Sequence, residues 1–228
     1  YHTGAWLREN KILNHYKDEY FKPTGTAFTE LDLVQPDLPT AWTAIEQREA
    51  LRALKGVPLR QEVYAKDAST KEDLPYSATE YNYDIQLLQA KSTNRFAVFL
   101  VHEKENIAYH YERNDSDPRI AHSLNIVIDK YANVLESASV VYGRVGTVAN
   151  LPTGAGQTII NTEQKKLHVV YTVTEYTKFI YPVGSTTEVD ELDTEKEYRL
   201  RMPWRMKQYE LTNAVPTGAT LGVVAKYF

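Results

Sequence analysis

Tyr81-Asn82-Tyr83-Asp84-Ile85-Gln86-Leu87 decides the fold class, because its apolar residues recur at every second position with polar ones between them. That period of two gives a segment one apolar and one wet face, which is a half-buried β-strand. The same rhythm begins at Val57 and continues outward. Lys91-Ser92-Thr93-Asn94 reads as a turn into Arg95 to Val101, whose unbroken apolar run predicts a strand covered on both faces or an interior sheet position. Ile107 to Arg113 alternates again and stops at the turn signal Asn114-Asp115-Ser116-Asp117-Pro118. Leu124, Ile126 and Ile128 share a face of a further strand, Asp129 to Asn133 turns, and Val134 to Tyr142 returns. Strands joined by short turns pair antiparallel through hairpins, so the expected fold is mainly β, an extended antiparallel sheet.

One short helix is expected near residues 43–55, in the stretch from Thr40 to Gly56. Thr40 or Thr43 can supply the N-cap oxygen, and Thr43 with Glu46 fits a capping box, in which each side chain satisfies an unpaired backbone N–H. Lys55 at the carbonyl end complements the helix dipole, and Gly56 can take the left-handed conformation that ends the helix. Trp42, Ile45, Leu51 and Leu54 form an imperfect apolar stripe. Residues 1–39 read as loop with short extended pieces. Residues 143–158 carry Gly143, Gly146, Gly154 and Gly156 with Asn150 and Pro152, a break in the sheet. Leu167 to Tyr176 is a strand, Gly184 to Glu197 an acidic loop tip, and Tyr198 to Leu211 extended around Pro203. The expected division is an entry segment with the helix (1–56), an antiparallel β segment (57–142) and a continuing β segment (143–228).

With 228 residues, 43% of them hydrophobic and 25% charged, the composition is that of a globular chain and excludes disordered or collagenous classes. A net charge of -4 lacks the basic excess that phosphate neutralisation requires, so no nucleic-acid partner is expected. Zero cysteines remove disulfides, zinc ribbons and thiol nucleophiles. The longest apolar run, Phe96 to Val101, has six residues where a membrane-crossing helix needs about 20. The start, Tyr1-His2-Thr3-Gly4-Ala5-Trp6, resembles neither an initiating Met nor a signal peptide, so the sequence is expected to be a piece of a longer protein.

Candidate chemistry is thin. His102, His110 and His122 lie in or beside neighbouring predicted strands, and His110 with Glu112, two apart, would share a strand face. Two imidazoles and a carboxylate can hold a metal across a hairpin; the plainer reading, hydrogen-bonded strand histidines, is preferred. Glu103, Glu105, Glu112 and Glu175 could supply a glycosidase carboxylate pair, but a chain with 30 acidic residues makes some such pair almost inevitable. No G-x-S-x-G elbow, phosphate loop or dinucleotide fingerprint occurs, and no cofactor is expected. Tyr81, Tyr83, Tyr109, Tyr111 and Tyr142 could form an aromatic ligand platform, though core or sheet-face packing is the more ordinary use of strand tyrosines.

The segments HTGAWL (2–7), REALRALKGVPLRQEVYA (48–65), YNYDIQLLQ (81–89), NRFAVFLVHEKENIAYHYERNDSDPRIAH (94–122), IDKYANVLESASVVYGR (128–144) and LRMPWRMKQYELT (200–212) resemble, in this order, the middle region of the B component of bacterial Tc (toxin complex) insecticidal toxins. Within them Asp129 to Val134 is similar to the D-x-x-G-N-V turn of the Rhs/YD-repeat proteins, with Ala132 where Gly is usual. Ala tolerates positive φ poorly, so the turn type is open at this point.

The resemblance implies a non-catalytic structural segment of a secreted toxin. In that family the B component carries a propeller that docks on the pore-forming A component, and its remainder joins the C component in a hollow β-sheet cocoon enclosing the toxic C-terminal segment of the C component. This segment would follow the propeller and form an early part of the shell wall, so its contact with the A component would run through the neighbouring propeller. The family's self-cleaving aspartyl protease lies in the C component, and no catalytic, metal or cofactor residue carries over. The alternative is an aromatic-faced carbohydrate or cell-surface binding module. It would show Tyr and Trp side by side on an exposed concave face, whereas a shell segment would hold them in packing contacts.

Overall fold

A computed structural model describes residues 16–24, 30–31, 33, 38–147, 153–177 and 201–214. The expectations for Trp6, the acidic stretch 184–197 and the HTGAWL segment lie outside these residues. The seven described strands are β1 (Arg60–Val63), β2 (Ser77–Gln89), β3 (Val98–His110), β4 (Arg119–Ile128), β5 (Val134–Val141), β6 (His168–Tyr176) and β7 (Pro203–Glu210). They form one sheet in chain order, each pairing antiparallel with the next. This is the meander that short turns between alternating segments demand. The predicted strands at 95–101 and 107–113 are one strand, β3, ending at His110 because Glu112 and Arg113 adopt φ of 52° and 62°.

Helix α1 (Ala44–Ala53) starts at Thr43, whose Oγ1 accepts from the Glu46 N–H at 3.3 Å while Glu46 Oε2 accepts from the Thr43 N–H at 2.9 Å. The capping box is therefore complete, and Gly56 takes φ 93° just past the helix end. The stripe differs from the expected one: Ala50, Trp42, Leu51 and Leu54 pack with Leu38 and Ile85, while Ile45 is exposed. Positions 42, 46, 50 and 54 recur every four residues and form the inner face, from which Ile45 is turned by about 100°.

A second helix, α2 (Ala155–Gln164), occupies part of the stretch read as a glycine-rich break. Its N-cap is Gly154 at φ 126°, with no side-chain cap, and Gly156, Thr158, Ile159 and Ile160 are weak helix formers, so the usual start signals are missing. Gly143 has a separate reason: a Cβ there would lie 2.2 Å from the Lys165 carbonyl oxygen.

The buried side of the sheet changes at a β-bulge. On β2 the buried positions are Ala78, Glu80 and Asn82, then Tyr83 and Ile85, so their parity changes between Asn82 and Tyr83. At that point Asn82 pairs Glu105 and Tyr83 pairs Glu103, leaving Lys104 as the extra residue on β3. Since β2 itself has no insertion there, its side chains continue to alternate, and the covered side passes from one sheet face to the other. Before the bulge, Ala78, Ile107, Tyr109 and Ile120 pack with Leu33 and, from the entry segment, Phe21 and Leu31. Beyond it, Ile85, Phe99 and Val101 pack with α1. The start of β3 is thus covered on one face, not two, and Val98 is 46% exposed.

Candidate functional site

One buried polar centre is built on Arg60 of β1, whose side chain is only 2% exposed. Its guanidinium reaches Glu30 at 2.7 and 3.0 Å and Glu80 at 3.3 Å, and its Nε pairs with Glu62. Three carboxylates share one cation. Burial alone would push Arg60 down, but the hydrogen bonds and charges of Glu30 and Glu62 more than offset this and hold it charged. Burial and then the Glu30 charge push the Tyr111 hydroxyl up, so it stays a neutral donor to Glu30. The Phe21 N–H donates to Glu62 at 2.9 Å, and the Leu31 N–H to the Tyr109 hydroxyl at 2.9 Å. The centre fastens the entry segment to the sheet.

A second centre crosses β2, β3 and β4. His122, whose side chain is fully buried, has Nε2 3.0 Å from Glu105 Oε2 and Nδ1 3.0 Å from the Tyr142 hydroxyl, and Asn82 donates to Glu105 at 2.9 Å. Burial pushes the Glu105 carboxyl up, but hydrogen bonds from His122 and Asn82 outweigh it and leave it below its ordinary value. The third centre is the β4–β5 turn. Asp129 Oδ1 accepts from the backbone N–H of Tyr131 and Asn133, each at 2.9 Å, Oδ2 accepts from Arg201 at 2.6 Å, and Ala132 adopts φ 65°. The left-handed turn forms with Ala in the glycine position.

The sequence candidates for chemistry do not converge. His110 and Glu112 do not share a strand face, because β3 ends at His110 and the positive φ of Glu112 redirects its side chain to Arg119. His102 lies beside Asp84 at 3.6 Å, apart from the His122 centre. Glu103 accepts from Asn106, Glu105 serves His122, and Glu175 pairs with Arg205. Among the described residues no group of three or more His, Asp or Glu is arranged to hold a metal ion. No described helix is long and apolar enough to cross a membrane.

The tyrosines divide by position. Tyr83, Tyr109 and Tyr111 are buried, and Tyr142 stacks on His122 with ring centroids 6.2 Å apart. Several exposed aromatics carry cations, Arg113 over Tyr76, Arg201 over Tyr131 and Arg205 over Trp204 at 4.6 Å, while Tyr209 lies beside Tyr171 with ring centroids 6.4 Å apart. Sequence reasoning missed Arg60 and its glutamates. Their only local sign is Arg60 and Glu62 two apart on β1, whereas Glu30 and Glu80 come from distant segments.

Residues 49–185, well over half of the chain, match the family model described as the insecticide toxin TcdB middle/C-terminal region. No curated protein matches the chain. Among solved structures, TcdB2–TccC3 without its hypervariable C-terminal region is similar at 24% identity and TM-score 0.65, over 92% of this chain and 10% of that one. TcdB2–TccC3–Cdc42 is similar at 24% identity and TM-score 0.64, again over 92% and 10%. The Photorhabdus luminescens Tc holotoxin pore is similar at 24% identity and TM-score 0.56, over 74% and 8%. At this identity the likenesses show a shared fold, and the chain spans about a tenth of the length of the solved chains it matches.

Proposed function

Because the chain belongs to the insecticide toxin TcdB middle/C-terminal family, we propose that this segment of a Tc toxin B component is a non-catalytic piece of shell wall. Together with the C component, the longer protein would enclose the toxic C-terminal segment of that partner. The reading carries secretion with it, and places any contact with the A component in the neighbouring propeller.

The observation that carries it is the seven-stranded meander, whose two edges are unpaired among the described residues. Strands β1 and β7 each have one described neighbour, and all eight residues of β7 are exposed. Such a sheet leaves backbone donors and acceptors for further strands, as a wall built by strand addition requires. His102 with Asp84, His122 with Glu105 and Glu175 with Arg205 each link neighbouring strands, which supports a structural role. Buried tyrosines and cation-covered surface aromatics favour this reading over a carbohydrate-binding face. The division at 1–56, 57–142 and 143–228 stands as part of the proposal; the sheet itself runs across residue 143 through β5–β6 pairing.

The test is co-purification of the longer parent with a C component, followed by imaging of the particle. A closed hollow shell with this segment in its wall is expected. A compact solid particle, or no association, would overturn the reading and bring glycan binding forward.

A further inference from the structure

Among the described residues the sheet contains a fork that no strand fills. Strand β3 pairs with β4 only from Glu105 to His110, so Val98 to Glu103 have a ladder partner in β2 alone and the bulged Lys104 has one on neither side. Beyond Leu124, β4 keeps company with β5 through Asn125, Val127 and Ile128. At the crotch the Asn125 side chain donates to the Glu103 carbonyl at 2.8 Å. The Glu103 carbonyl therefore points toward β4. Backbone groups alternate in direction along a strand, so those of Phe99 and Val101 point the same way, into the opening.

Three observations say what fits there. A cavity of about 790 Å³ elsewhere borders β5–β7, but the one at the fork, about 750 Å³, is lined by His102, Lys104, Asn125, Ile126 and Val127 among others. His102, one of the lining residues, has its Nδ1 buried without a hydrogen-bond partner. Buried polar atoms are rarely left unpaired, so this nitrogen marks a contact that the described residues do not supply. Ile126 and Val127 are exposed beside it, at 54% and 37%. A backbone edge, an orphaned polar atom and aliphatic side chains in one opening match an extended polypeptide, not a small ion.

We infer that the fork between β3 and β4 receives a β-strand from another part of the same longer polypeptide. The strand pairs with the Phe99–Glu103 edge, offers a polar partner to His102, and packs aliphatic side chains on Ile126 and Val127. Seven residues of open β3 span about 20 Å, enough for a strand of ordinary length. The occupant comes from the parent chain because the solved chains this segment resembles are about ten times longer. The inference rests on the chain being part of a longer wall-forming protein, but it does not need the shell to be closed or loaded.

Ile126→p-benzoylphenylalanine in the full-length parent, photolysed and mapped by mass spectrometry, tests this directly, with the same replacement at Ile159 on α2 as the control. The expected product is an intrachain cross-link from position 126 to a segment outside residues 1–228. Amide exchange at Phe99 and Val101 should also be about 100-fold slower in the parent than in the 228-residue chain. Cross-links only within residues 1–228, cross-links to a C component, the same product from position 159, or no change in exchange would each overturn the inference. A parent that forms no hollow particle yet gives the expected cross-link would sink the shell reading and leave the fork pairing intact.

Discussion

Strands β1–β4 and strands β5–β7 belong to one continuous ladder, yet they end in different states. In the first group Ala78, Tyr83, Ile85, Ile107, Tyr109 and Ile120 are buried, and both core clusters draw their covering residues from the entry segment and α1. In the second group only Val140 and Val169 reach the same burial among described strand residues, and β7 is exposed along its whole length. The difference shows that backbone pairing sets register, whereas burial needs a second layer. The entry segment provides that layer for the first four strands; the described residues provide none for most of the last three.

The comparison would break most visibly at Arg60. Arg60→Leu should cost about 3–5 kcal/mol, since it leaves three carboxylates around an apolar side chain. Urea unfolding followed by Trp42, which packs from the entry segment onto Phe99 of β3, against Trp204 on β7, would localise the loss. A midpoint that moves equally at both reporters would mean the two groups unfold as one. Ile107→Ala should cost about 2–4 kcal/mol by leaving a cavity under the entry segment, measured in the same way.

The His122 centre sharpens the contrast through pH. The folded carboxyl of Glu105 lies below its unfolded value of about 4.3. Its stabilising contribution is therefore fully present above about pH 4.3 and is lost as pH falls through the folded value. The slope from this one proton is at most about 1.4 kcal/mol per pH unit. Glu105→Gln should flatten the acid limb of the stability curve; an unchanged limb would exclude Glu105 as its source.

Smaller effects belong to the turn and the open edge. Ala132→Gly should stabilise by about 0.5–1 kcal/mol, because glycine removes the strain of φ 65° and returns part of the gain as unfolded-state entropy. A rise in thermal midpoint would register it. Met206→Ala on β7 should change stability by less than about 0.5 kcal/mol, as expected for an uncovered side chain. A large loss would show that β7 already has a second layer.

Much of this fold was legible because its signals are local. Alternation located β2 and β4, Asn- and Asp-rich clusters marked the turns, and Thr43 with Glu46 located α1. Helix α2 was not legible, since its glycine cap and β-branched residues carry no start signal and its position follows from Gly143 meeting Lys165. Arg60 was not legible as a centre because Glu30 and Glu80 approach it only when the entry segment crosses the sheet. Tyr109 and Tyr111 were readable as strand tyrosines, but their hydroxyl partners Leu31 and Glu30 were not.

By itself, then, the sequence determined which segments extend, where they turn and in what order they can pair, because those choices depend on residues within a few positions of one another. Only the tertiary structure decided which side of each strand is buried. The extra residue at Lys104 exchanges the covered face, and the entry segment reaches one face while α1 reaches the other. Both depend on contacts between residues far apart in the chain, whose cost in chain entropy is met only by the assembled layers.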